Sequence, residues 1–200
     1  MSRLLRSRGA RGARRWLGGL LLASCCGFAL AQQPQTAPEL TPQQRARLQW
    51  EAGYVLHLMG DYERAVELFR ASIAAHPTAE AHTYLGWSLS HLGRLEEAIA
   101  QCKIAIGLDP DFGNPYNDIG VYLIDQGKLE EAVPWLEKAM ASRRYCCYQF
   151  PHYNLGRVRL MQGRIEEATR AFERALKYDP QHVPSLLALE YIKRGGLRGL

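Results

Sequence analysis

Two hundred residues, 47% of them hydrophobic, suffice for one ordinary globular domain. The formal charge of +5 points to an anionic partner only until its distribution is read. Residues 1–31 hold six arginines and no acid, and the rest of the chain sets 19 basic residues against 20 acidic ones, a balance of −1. A nucleic-acid footprint needs basic residues gathered on a working face. Here the excess sits in a terminal segment, so nucleic acid is excluded as the expected partner.

Taken in chain order, residues 1–31 have the three parts of a secretory signal: an arginine-rich start, an apolar run over 16–30, and small residues before a cut. Ala29-Leu30-Ala31 fits the A-x-A pattern, with cleavage before Gln32. Leu22-Ala23-Ser24-Cys25 resembles the bacterial lipobox, and cleavage there would leave Cys25 as a lipid-bearing terminus. The apolar run is short of the ~20 residues of a spanning helix. Arg14-Arg15-Trp16-Leu17 is faintly similar to a twin-arginine signal, and an acid-free, arginine-rich start also suits a mitochondrial presequence. The expectation is bacterial-type export, giving a periplasmic or secreted protein. The alanine cut is favoured because the apolar run continues past Cys26, and a lipoprotein anchored at Cys25 is the alternative. Residues 32–40, with two prolines and a single charge, read as a disordered linker.

Thr41-Pro42-Gln43-Gln44 is a helix start: a capping threonine, a proline at the first helical position and a glutamine placed for a capping box. The first helix is expected to reach about Met59. After Gly60-Asp61 a second helix carries Tyr62, Ala65, Val66, Phe69 and Ile73 on one face, and His76-Pro77 ends it. The small residues Gly53, Gly60 and Ala65 then recur as Gly86, Gly93 and Ala98, as Gly120, Gly127 and Ala132, and as Gly156, Gly163 and Ala168. Successive shifts are 33, 34 and 36 residues. A period of that length repeated four times is the signature of a solenoid.

Each unit resembles the tetratricopeptide repeat, a helix–turn–helix module of 34 residues. The family's small position falls on Gly53, Gly86, Gly120 and Gly156, and its large position on Phe69, Cys102, Leu136 and Phe172. Its closing proline is Pro77, Pro110 and Pro180, but Arg144 stands there in the third unit. The resemblance implies an all-α fold over 41–194: a right-handed α-solenoid of four units, about 46–78, 79–112, 113–148 and 149–182. A capping helix over 183–194 and a loose tail over 195–200 follow. Neither helix of a unit can bury its apolar face alone, so the units must stack. Glu96-Glu97, Glu130-Glu131 and Glu166-Glu167 open second helices, where carboxylates suit the helix dipole.

Little in the chain points to chemistry. Cys102 holds a core position and reads as a small buried hydrophobe. Cys146 and Cys147 lie where the third unit has two extra residues, and three readings stay open there: a structural loop, a disulfide or redox pair, and metal binding together with His152. No C-x-x-C pairing supports the metal. The six histidines are scattered, and there is no G-x-S-x-G, P-loop or dinucleotide fingerprint. No catalytic residue, cofactor or metal is expected.

That leaves binding. In the family, the first helices line the concave face. Carried onto this chain, the lining positions give Trp50 and Tyr54, then Tyr84 and Trp87, then Asn117 and Asp118, and last Tyr153, Asn154 and Arg157. His57, Thr83, His91, Asn114, Val121, Asp125 and Phe150 complete the set. Aromatic rings and arginine favour protein interfaces, and amides can hydrogen-bond a peptide backbone. The lysine and asparagine of the family's two-carboxylate clamp are missing, with Trp50 and Tyr54 in their places. The expected function is a non-enzymatic adaptor or scaffold that binds a protein or peptide through the concave groove. A thiol/redox accessory acting through Cys146 and Cys147, or a self-associating assembly module, is the alternative.

Overall fold

The computed structural model describes residues 39–195. The signal segment with Cys25, most of the linker and residues 196–200 of the tail lie outside the described residues. Among the described residues the chain forms α1 (Pro42–Leu58), α2 (Tyr62–Ala75), α3 (Ala79–His91), α4 (Leu95–Leu108), α5 (Asn114–Asp125), α6 (Leu129–Ala141), α7 (Gln149–Met161), α8 (Ile165–Tyr178) and α9 (Val183–Lys193). Helices α1, α3, α5 and α7 each pack most extensively on the even helix that follows. The odd helices also touch one another in series, α1 on α3, α3 on α5 and α5 on α7, which makes them one wall of a two-layer solenoid. None of these helices is long and apolar enough to cross a membrane.

Local chemistry sets the helix ends. The Thr41 hydroxyl accepts from the Gln44 amide at 3.2 Å while the Gln44 side chain accepts from the Thr41 amide at 2.9 Å. Pro42 occupies the first turn, where its missing N–H costs nothing. Asp61 caps α2 through the Arg64 amide. The turn between paired helices passes through a left-handed residue, Gly60 at φ 82° and Gly127 at φ 74°, where a side chain would be strained.

Packing explains the small-residue lattice. A Cβ on Gly120 would stand 2.5 Å from Leu136, and one on Gly156 would stand 2.5 Å from Phe172. The corresponding clearances are 3.0 Å from Phe69 at Gly53 and 3.1 Å from the Ala98 carbonyl at Gly86, with Cys102 Sγ at 3.2 Å. The missing Cβ at the small position therefore makes room for the large residue of the paired helix. Phe69, Cys102, Leu136 and Phe172 are all fully buried there. Burying each of the larger ones stabilises the fold by about 1.5–3 kcal/mol.

The acid pairs serve the stack. Glu97 and Glu167 pair with Arg94 and Arg164 three residues earlier. Glu96 and Glu130 instead accept from the turn glutamine of the following unit, Gln126 at 3.2 Å and Gln162 at 2.7 Å. Each of these hydrogen bonds joins neighbouring units.

The third unit ends differently. Its second helix stops at Ala141, and the chain runs back over the loop between α4 and α5. Arg144 donates its amide to the Asp111 carbonyl at 2.9 Å, and Gly113 donates to the Arg144 carbonyl at 3.1 Å. This is an isolated parallel bridge between Phe112 and Arg144. The Arg144 side chain bonds Asp109 at 2.7 Å and Glu80 at 2.8 Å, with its guanidinium 4.1 Å from the centre of the Phe112 ring. Tyr145, buried, fills the space against Gly113 that a Cβ would occupy.

At the far end α9 packs on α8 and buries Ser185. Nothing among the described residues covers its other side, so Leu186 and Leu187 are 45% and 65% exposed. The capping helix covers the last repeat while presenting apolar surface of its own.

Candidate functional site

Between α3, α5 and α7 the odd-helix wall encloses a cleft of about 490 Å³. Tyr84, Trp87, Asn117, Asp118 and Asn154, all expected on the concave face, meet there, together with Thr83, His91, Asn114, Val121, Asp125 and Phe150. Trp50, Tyr54, His57, Tyr153 and Arg157 do not line it.

The reason differs at each end. Trp50 and Tyr54 stack at 5.6 Å with nearly parallel planes, and both meet the edge of Tyr84 at 5.2 Å. The first-unit rings are thus spent on the neighbouring unit, and Trp50 instead borders a separate hollow of about 200 Å³ with Gln43, Arg47 and Glu80. Below them His57 is buried against Trp87 at 4.1 Å, its Nδ1 2.9 Å from the Ser88 hydroxyl. Burial, with a smaller contribution from His91, lowers its pKa to about 4. At the other end Tyr153 packs on Phe172 at 5.7 Å and on His182 at 5.2 Å.

The middle of the cleft is polar and directional. Arg157 donates to Asn154 Oδ1 at 3.2 Å, Asn154 donates to Asn117 Oδ1 at 3.0 Å, and Asn117 donates to Asp118 Oδ1 at 3.4 Å. Each of these three hydrogen bonds is donated in the direction of Asp118. Arg157 also pairs with Asp125 at 3.7 Å, which holds its charge near the rim. Asp118 is half-buried, and desolvation pushes its pKa up to about 7, only partly offset by the Asn117 hydrogen bond.

Five lining residues were not foreseen: Ser90, Leu95, Tyr122, Tyr145 and Cys147. Tyr122 stands one position after Val121 of the concave set, where the other units carry Val55, Ser88 and Val158. A tyrosine among those residues was the available signal, because a buried phenol needs somewhere to put its oxygen. Tyr145 and Cys147 arrive through the irregular segment after α6. Cys147 is joined to Cys146 in a disulfide, while His152 stacks on Tyr178 at 5.3 Å.

Family profiles, each for the tetratricopeptide repeat, match residues 45–111, 116–144 and 150–182. Among curated proteins the chain is 29% identical to mouse (Mus musculus) DnaJ homolog subfamily C member 3 over 110 residues, 55% of this chain and 21% of that protein. It therefore spans about a fifth of the length of that relative. Among solved structures, Pseudomonas aeruginosa PilF superposes with a TM-score of 0.70 at 22% identity, over 77% of this chain and 71% of PilF. YrrB, described as a repeat protein of this kind with an unusual peptide-binding site, superposes at 0.59 with 21% identity, over 72% and 74% of the two chains. At these identities the likeness to solved structures is one of fold. With three profiles spread across the helical array, the chain belongs to the tetratricopeptide-repeat family.

Proposed function

We propose that the chain is a non-enzymatic adaptor that holds a peptide segment of a partner protein along its concave face, in the periplasm or cell envelope. The observation that carries this reading is the cleft itself. It joins an exposed aromatic edge, Trp87 at 38% exposure beside Tyr84, to a floor of amides and a carboxyl. Rings supply contact area and amides match a peptide backbone. The peptide-binding site described for YrrB supports the assignment, and the signal-like composition of residues 1–31 supports export. A tagged form of the exported portion should recover one set of proteins from an envelope extract, and Tyr84→Ala and Trp87→Ala should each lose that set. Equal recovery by all three forms would sink the groove assignment.

A further inference from the structure

The cleft has a sign. Its charged side chains are Asp118 and Asp125, and neither lysine nor arginine lines it. Arg157, the cation that comes nearest through the amide chain, is committed to Asn154 and Asp125. Asp118 makes no ion pair among the described residues, and the one side chain bonded to it is Asn117.

A second group lies open beside it. Tyr122 is 3% exposed, lines the cleft, and its hydroxyl has no partner at hydrogen-bonding geometry. The Ser90 hydroxyl on the same wall donates to the Trp87 carbonyl at 2.8 Å, so toward Tyr122 it can only accept the phenol's proton, which leaves the phenol oxygen without a donor. A buried oxygen that receives no hydrogen bond is costly, and in a native fold it calls for an explanation. A ligand hydrogen-bond donor would supply one.

We propose that this floor is a pocket for one basic side chain, a lysine or arginine, carried by the peptide that the groove holds. The inference rests on the adaptor reading and deepens it. The cationic head reaches the Asp118 carboxylate and donates to the Tyr122 oxygen. Its aliphatic stem lies against Tyr84 and Trp87, whose ring faces attract a cation. The Arg157–Asn154–Asn117 chain donates stepwise toward Asp118 and ends in the Asn117 hydrogen bond to its carboxyl, which orients that carboxyl before the ligand arrives. The raised carboxyl supports the assignment: an acid desolvated without a countercharge ionises fully once a cation is placed beside it.

The test uses the full chain and an array of acetylated, amidated nonapeptides in which each position is varied through all residue types. Lysine and arginine should be enriched at one position, and norleucine there should weaken binding about 10- to 100-fold. Asp118→Asn should abolish that enrichment, and Tyr122→Phe should reduce it, with helical circular dichroism unchanged in both. Peptides bound without a basic preference, or with an acidic one, overturn this inference and leave the adaptor reading standing. A preference kept intact by Asp118→Asn overturns it equally, as does failure of the wild type to bind any peptide. The adaptor reading fails separately, if Tyr84→Ala and Trp87→Ala recover the same partners as the wild type.

Discussion

On the first two units the concave face is ring against ring: Trp50 on Tyr54, both on Tyr84, Tyr84 on Trp87 and Trp87 on His57. On the last two it is amide to amide, ending at a carboxyl. Both halves hang on the same lattice of small and large residues. The aromatic half satisfies itself, since each ring has a neighbouring ring. The polar half is directional, and direction leaves an end, which falls at Asp118 where the halves meet. A repeat fold can thus keep its packing constant and place its recognition chemistry at a change of surface.

The contrast can be broken by pH. His57 is held at about 4 against an ordinary 6.5, so the unfolded chain binds a proton between those values and the folded one does not. The stability this ring contributes is intact above about 6.5 and is lost as pH falls toward 4. The loss amounts to up to about 3 kcal/mol. His152 and His182 are also lowered by burial and follow the same trend. The measurement is therefore a difference: urea midpoints at pH 7.5 and 4.5 should separate less in His57→Gln than in the wild type.

A smaller effect comes from the lattice. Gly156→Ala should cost about 2 kcal/mol through overpacking against Phe172. Gly53→Ala should be close to neutral, because the looser 3.0 Å approach to Phe69 is offset by the better helix propensity of alanine. Thermal unfolding of the pair compares the halves directly, and an equal cost at both sites would show that the tighter clearance has no energetic weight.

The smallest effect has the opposite sign to that of His57. The Asp118 carboxyl is raised from 3.8 to about 7, so its contribution is greatest at low pH and falls as pH rises through that window. Asp118→Asn should stabilise the chain at pH 8 by about 1 kcal/mol, allowing for water in the cleft, with the gain gone by pH 4. Chemical denaturation at the two pH values reads both the gain and its disappearance.

The fold was legible because its signal is periodic. Gly53, Gly86, Gly120 and Gly156 each announce a close approach, and Pro77, Pro110 and Pro180 each announce an end. The concave positions followed from the same period, which is how Tyr84, Trp87, Asn117, Asp118 and Asn154 could be placed on one wall. Periodicity does not say which side chains prefer each other to solvent: Trp50 and Tyr54 keep their places on the concave face but pack on Tyr84 and stay out of the cleft. It is also silent where the repeat is interrupted. Arg144 reads locally as a missing proline, yet its partners Asp109 and Glu80 lie 35 and 64 residues away. Tyr145 and Cys147 enter the cleft only because that segment turns back.

Arg144 has a mechanical consequence. A repeat array flexes because each unit grips only its neighbours, and small rotations add along its length. Arg144 reaches from the end of the third unit to Asp109 at the end of the second and to Glu80 at its beginning, while its backbone is bridged to the intervening loop. Rotation at that junction would have to break two ion pairs and two backbone hydrogen bonds together. The second and third units are therefore braced against each other beside the cleft. A partner peptide meets a mouth whose two walls are tied to each other through the chain's own irregular segment.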